Sequence, residues 1–384
     1  MALKKTSIVN FLSGLSIFVL VASPTLKGVL YSSSIFNFIP FFLFSAAIIL
    51  QGGVNRVFIG VNNSLVPLFL FFLILFVYIY VIYYGFPDFV EFIKYIMLFL
   101  IAIITPHIVT YKALDISYVL LILWGIFLSV KKLFFTIQFT EEFHYLTLGL
   151  PIAVMIIICF FKLIYTKIFF HRLIFVLGMC IGYIALLTLF GRSPLLFPTL
   201  LIISYMFFNF LNGLANLKAK DTFKYLLFLI VLFIVIKVII DNYIPVYLLD
   251  KFAEMEIGNS DSRTDDLYIP AMHSIINNPF GTGLGSSPKI VGFYPHNIFL
   301  EIGIDSGLIG ILFFLILILR ASSTSVKILK MKNNNSTLII MIFIFWLIFL
   351  FWNVSYGLSS AYALFAFLSL IHSYKFIKVK SFQN

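Results

Sequence analysis

The sequence predicts an all-α polytopic membrane protein with about 12 transmembrane helices, each near the ~20 residues that a bilayer requires. Three observations carry this. Hydrophobic residues make up 62% of the 384 positions and charged residues only 11%, against roughly 25% charged in soluble domains. The apolar residues come in long uninterrupted runs. The Lys and Arg residues behind the net charge of +11 lie in short clusters between those runs, which is a topology signal and not a nucleic-acid-binding surface.

Taken in order, the apolar runs place spans near 8–23, 35–50, 65–84, 94–110, 115–130, 146–161, 173–190, 195–214, 222–240, 297–319, 337–353 and 357–373. Lys4 and Lys5 precede the first run, and no small-residue cleavage site follows it, so it reads as a retained helix and not a removed signal. Cys159 and Cys180 both fall inside spans and read there as small buried side chains. No internal repeat or low-complexity tract divides the chain, so residues 1–384 form one integral membrane domain.

Charge sets the expected topology. With the N-terminus inside, 17 of the 26 basic residues fall on the cytoplasmic side and eight outside, while Lys237 lies within a span. This bias places both termini in the cytoplasm. It also places three segments outside: 131–145, the turn Gly191-Arg192-Ser193-Pro194, and a long loop, 241–296, between the ninth and tenth helices.

The most polar segment runs from Asp261 to Gly310. Polar groups beside apolar spans are costly unless they pair or act, which makes this segment the expected working site. Arg192, alone in its turn, offers a planar fork of donors suited to phosphate oxygens; the other reading is contact with lipid headgroups. Ser262-Arg263-Thr264-Asp265 fits a capping box, so a helix is expected to start there, with its N-terminal partial charge beside Arg263. Pro270 is expected to interrupt or kink that helix. Arg263 reads equally as an anion ligand or as a partner of Asp261, Asp265 or Asp266.

Gly281, Gly283 and Gly285 in the run Gly-Thr-Gly-Leu-Gly can bring backbone amides close to a phosphate; a tight turn is the alternative. His296, between Pro295 and Asn297 at the re-entry point, fits a general base at neutral pH or an interfacial cap. Asn297, Glu301 and Asp305 recur at i, i+4 and i+8 as one polar stripe. Glu301 and Asp305 serve the site or pair with Lys237. His107, His144, His171 and His372 are scattered, and His273 is a lone loop histidine. No metal-ligand spacing and no nucleotide motif is legible.

The turn Leu187-Thr188-Leu189-Phe190-Gly191-Arg192-Ser193, then Ser262-Arg263, then Asn278-Pro279-Phe280-Gly281-Thr282-Gly283-Leu284-Gly285, then His296-Asn297-Ile298-Phe299-Leu300-Glu301 with Gly307-Leu308-Ile309-Gly310 resembles the O-antigen ligase and O-antigen/capsule repeat-unit polymerase superfamily. The likeness covers about residues 183–310 in motif and the whole chain in helix pattern. It departs at Gly191, where the family often has Ser or Thr, and at Pro270. Members are inverting, metal-independent glycosyltransferases of the inner membrane that act on its outer, periplasmic face. They need no cofactor and use glycans carried on undecaprenyl pyrophosphate. The resemblance implies that Arg192 and Arg263 hold the pyrophosphate and that His296 assists the acceptor hydroxyl as the third catalytic residue. Gly281, Gly283, Gly285, Asn297 and Glu301 would complete the substrate site. It further implies the lipid bilayer, a chain-length regulator and a flippase as partners, with a polymerase as first reading and a ligase to lipid A core as second.

A transporter or flippase for a lipid-linked oligosaccharide is the rival of another class. It requires polar residues along a midplane path. Such residues are few, namely His107, Lys237, Glu301 and Asp305, and the polar weight lies in one outer loop, so the sequence favours chemistry at one face.

Overall fold

A computed structural model describes residues 2–30, 38–51, 63–81, 89–135, 145–189, 192–215, 264–331, 335–375 and 377. Among these residues every regular element is helical. The helices are α1 (Ala2–Leu30), α2 (Ile39–Gln51), α3 (Val66–Val81), α4 (Phe89–Ile108), α5 (Tyr111–Phe134), α6 (Tyr145–Tyr165), α7 (Phe169–Leu187) and α8 (Ser193–Ala215). A π-helical turn, Thr264–Tyr268, then leads into α9 (Ile269–Asn277), followed by α10 (Ser287–Val291), α11 (Ile298–Leu329), α12 (Ser336–Trp352) and α13 (Tyr362–His372).

Six of these helices, α1, α5, α6, α7, α8 and α11, are long and apolar enough to cross a membrane. Apolar stretches in α2, α3, α4, α12 and α13 are shorter. Eleven of the expected spans therefore overlap helices, and the remaining one, the ninth (222–240), lies outside the described residues. Boundaries differ most at the first span, where α1 runs from Ala2 through Pro24 to Leu30, and at the tenth, which continues past Arg320 to Leu329.

Helix α6 forms the centre. Every residue from Leu146 to Phe161 is buried, as expected for a helix that is apolar all round and surrounded by neighbours. Helices α5, α7, α8 and α12 pack against it. At Gly125 of α5 an added Cβ would lie 2.5 Å from the Cβ of Met155, so the absent side chain sets how closely α5 approaches α6. A second cluster ties α3, α11 and α13 through phenylalanines. Phe71 lies 5.7 Å from both Phe314 and Phe365, and Phe72 lies 5.1 Å from Phe365.

The element that positions the polar segment is α11, which is broken. Gly307 has φ 66° and ψ −163° inside it, a conformation essentially reserved for glycine. The break strips backbone groups of their helical partners, and the loop before α10 supplies replacements. Thr282 N donates to the Ile304 carbonyl at 2.8 Å, Gly283 N to the Asp305 carbonyl at 3.0 Å, and Leu308 N to the Pro279 carbonyl at 2.9 Å. The fit is tight on both sides. A Cβ on Gly307 would meet the Pro279 oxygen at 2.3 Å, and one on Gly281 would meet Gly307 N at 2.6 Å.

Pro270 does not interrupt the loop helix. It stands in the first turn of α9, directly after the π-helical turn Thr264–Tyr268, so the helical path continues through it and only the hydrogen-bonding pattern changes there.

Gly307→Ala is expected to destabilise by about 3 kcal/mol or more, combining left-handed strain with overpacking. Gly292 also has positive φ but has nothing within 4 Å of an added Cβ, so Gly292→Ala carries only the strain, about 1 kcal/mol. Thermal unfolding of the two purified variants measures the contrast.

Candidate functional site

His296 precedes α11 with φ 52°, the only non-glycine residue with positive φ among the described residues. Its Nδ1 lies 2.8 Å from the Ser355 carbonyl. A carbonyl only accepts, so Nδ1 carries the hydrogen, and in the neutral ring the lone pair is on Nε2. The imidazole also packs on Phe293, with ring centres 5.2 Å apart. The Ser355 carbonyl fixes the tautomer, and together with the Phe293 ring it fixes the direction of this histidine.

Ser355 belongs to the turn between α12 and α13, and that turn is itself anchored. Trp352 Nε1 donates to the Gly357 carbonyl at 3.2 Å, and Trp352 stacks on Tyr356 at 4.5 Å. Leu358 N donates to Glu301 Oε2 at 2.6 Å. Glu301 is fully buried, so the expectation that it contacts substrate is corrected: its carboxylate holds the turn that holds His296. Asn297 is likewise assigned differently from the sequence expectation. Its Oδ1 accepts from Phe299 N at 2.9 Å and Leu300 N at 3.2 Å, so it caps α11.

The three glycines require the same correction. Gly281 N donates to the Asn278 carbonyl and Gly283 N to the Asp305 carbonyl, while Gly285 N donates to Asp305 Oδ2 at 2.9 Å. Their amides serve the protein's own oxygens, which removes them as a phosphate cradle. Asp305 is fully buried and also accepts from Ser287 N at 3.3 Å and from the Ser286 hydroxyl at 3.4 Å. The run is a clasp on the broken helix.

Arg192 is half-buried in the bend between α7 and α8, and its carbonyl accepts from Leu195 N and Leu196 N as α8 begins. Phe197, one turn into α8, meets Phe351 in the last turn of α12 with centres 5.5 Å apart. Ser355, the partner of His296, lies four residues beyond Phe351. Arg192 and His296 therefore sit at the same end of the bundle. Arg263 lies outside the described residues, as does Lys237 with the proposed Lys237–Glu301 pairing. Thr264, the next residue after Arg263, opens the π-helical turn. From there α9 packs along the start of α11 in the same direction: Ala271, Ile275 and Ile304 share one buried cluster with Leu300, and the carbonyl of the following Pro279 accepts from Leu308 N.

Sequence reasoning missed the 355–358 turn. Its contribution is a backbone carbonyl and a backbone amide, which no side-chain motif announces. No group of three or more His, Cys, Asp and Glu able to hold a metal ion occurs among the described residues. No protein-family model, no curated protein and no solved structure matches the chain.

Glu301→Ala leaves the Leu358 amide buried without an acceptor, at about 1–3 kcal/mol. Faster hydrogen exchange at Leu358 and loss of a single His296 tautomer in imidazole 15N spectra are expected. Glu301→Gln keeps an acceptor oxygen and should restore most of both signals.

Proposed function

We propose that this chain is a polysaccharide repeat-unit polymerase, a metal-independent inverting glycosyltransferase that uses an undecaprenyl-pyrophosphate-linked glycan as donor and the sugar end of a new lipid-linked repeat unit as acceptor. The observation that carries the reading is His296. Its Nδ1–H is anchored on the Ser355 carbonyl at 2.8 Å, which turns Nε2 into a fixed base at the same end of the bundle as Arg192. A sugar hydroxyl is a poor nucleophile until a base takes its proton, and an oriented neutral imidazole is suited to that step.

The reaction then runs as follows. The acceptor oxygen attacks the anomeric carbon of the donor chain while its proton passes to His296 Nε2. The bond from that carbon to the diphosphate oxygen breaks with inversion, and undecaprenyl pyrophosphate leaves carrying the bonding pair. Arg192 and Arg263 neutralise the charge that develops on the diphosphate, each charge-assisted hydrogen bond contributing about 1.5–3 kcal/mol. The sequence order of the two arginines, the clasp and His296-Asn297 supports this reading. The buried glycine amides and Glu301 leave donor binding to the guanidiniums and not to a phosphate loop. The site is read as facing the periplasm from the inner membrane, in O-antigen or capsule synthesis.

Arg192→Ala and Arg263→Ala are each expected to abolish long-chain product while the protein inserts at normal levels. Arg263→Lys should rescue poorly, since an ammonium lacks the bidentate fork. His296→Ala should lower kcat by about 10²–10⁴-fold with little change in KM for the donor. Normal polymer from an inserted Arg192→Ala or His296→Ala variant rejects the assignment.

Purified protein given only a lipid-linked repeat unit should elongate it, with or without chelator. Product that forms only when lipid A core is supplied identifies a ligase instead, and loss of turnover on chelation indicates a metal requirement.

A further inference from the structure

The end of α11 remote from His296 holds a second polar constellation. Arg320, Ser323, Thr324 and Lys327 recur at i, i+3, i+4 and i+7 and so share one helix face. With Lys375 and His372, from the end of α13 and the residues after it, they line a pocket of about 260 Å³. Among the described residues no acidic side chain lines it, and none of its three cations makes a salt bridge.

Two further observations indicate a ligand. His372 is buried to within 6% of its surface, and its Nε2 donates to the Leu317 carbonyl at 3.2 Å. Its Nδ1, left as the acceptor of the neutral ring, has no hydrogen-bond partner among the described residues, although buried polar atoms are nearly always paired, so it calls for a donor such as a ligand hydroxyl. The lining face also continues an exposed apolar one. Leu312, Ile316 and Leu319 are exposed on α11, and the same helical rows run on to Ser323 and Lys327. Cations that merely mark topology need no hydroxyls between them and no buried imidazole behind them.

We propose that this pocket is an anion site for a phosphate group, in which Arg320, Lys327 and Lys375 supply the charge and Ser323 and Thr324 donate hydrogen bonds, while His372 Nδ1 is placed to accept from a hydroxyl of the headgroup. Basic pockets between membrane helices suit anionic lipid headgroups, and the continuity with the exposed apolar stripe of α11 favours a headgroup over a free ion. The site is separate from the one around His296 and does not depend on what that site catalyses.

Full-length protein in detergent, titrated with short-chain phosphatidylglycerol and separately with inorganic phosphate, tests the assignment by calorimetry or native mass spectrometry. Saturable binding of the lipid is expected, weakened about tenfold in Arg320→Gln, as for loss of one charge-assisted hydrogen bond. Lys375→Gln, at an exposed position, provides the same test should Arg320→Gln fail to fold. Competition by inorganic phosphate supports the phosphate itself as ligand, and lipid binding without such competition supports a headgroup. Absence of saturable binding for both probes, or binding that neither variant weakens, overturns the proposal.

Discussion

At Gly307 the longest apolar helix among the described residues loses its hydrogen-bond ladder, and a hydrocarbon environment offers no water to replace the lost partners. The replacements come from chain lying twenty to thirty residues earlier: the Pro279 carbonyl and the amides of Thr282 and Gly283. This requirement accounts for much of the surrounding sequence. Residues facing the break must bring backbone against backbone, so positions 281 and 307 are glycine. The loop then turns back into α10, and Asp305 fixes the turn by accepting from Gly285 N and Ser287 N. Helix α9 is held by the same clasp, because its C-terminal end runs directly into Pro279.

His296 inherits its position from that arrangement. The segment Ile298–Ser306 is gripped at its far end by the clasp and along its side by α9. Its near end is capped by Asn297 and tied through Glu301 to Leu358. A histidine with φ 52° is costly unless its surroundings hold it there. Here the Ser355 carbonyl, the Phe293 ring and the Glu301-anchored turn do so. An imidazole aimed in this way has already lost its rotational freedom, and under the proposed function that is the condition in which proximity effects operate in catalysis.

The helices were legible in the sequence because membrane spans are written in composition, and eleven apolar runs overlap helices. Their ends were less legible. Pro24 does not stop α1, and Arg320 does not stop α11, since a helix continues wherever its backbone bonds to itself. The polar stripe Asn297, Glu301 and Asp305 was visible as a period of four, yet spacing along one helix says nothing about what stands opposite. Glu301 meets an amide 57 residues away and His296 a carbonyl 59 residues away. The glycine run was marked as special for a sound reason, the close approach of backbone amides. Sequence alone does not tell whether those amides meet a ligand or the protein's own broken helix, and here they meet the helix.

The length of α11 explains why its carboxylates are so fully enclosed. Twelve residues from Leu308 to Leu319 span about 18 Å at 1.5 Å per residue, well short of the ~30 Å of a bilayer's hydrocarbon core. The segment before the break, Ile298–Ser306, adds roughly 13 Å on the same rise and supplies the missing thickness. Glu301 and Asp305 stand on that apolar helix, where an ionisable side chain persists only with protein partners. Both are 0% exposed, and both accept from backbone amides, of Leu358 in one case and of Gly285 and Ser287 in the other. The glycine clasp and the 355–358 turn therefore serve one end: they are the internal solvent that lets a polar, chemically capable segment sit inside an otherwise apolar bundle.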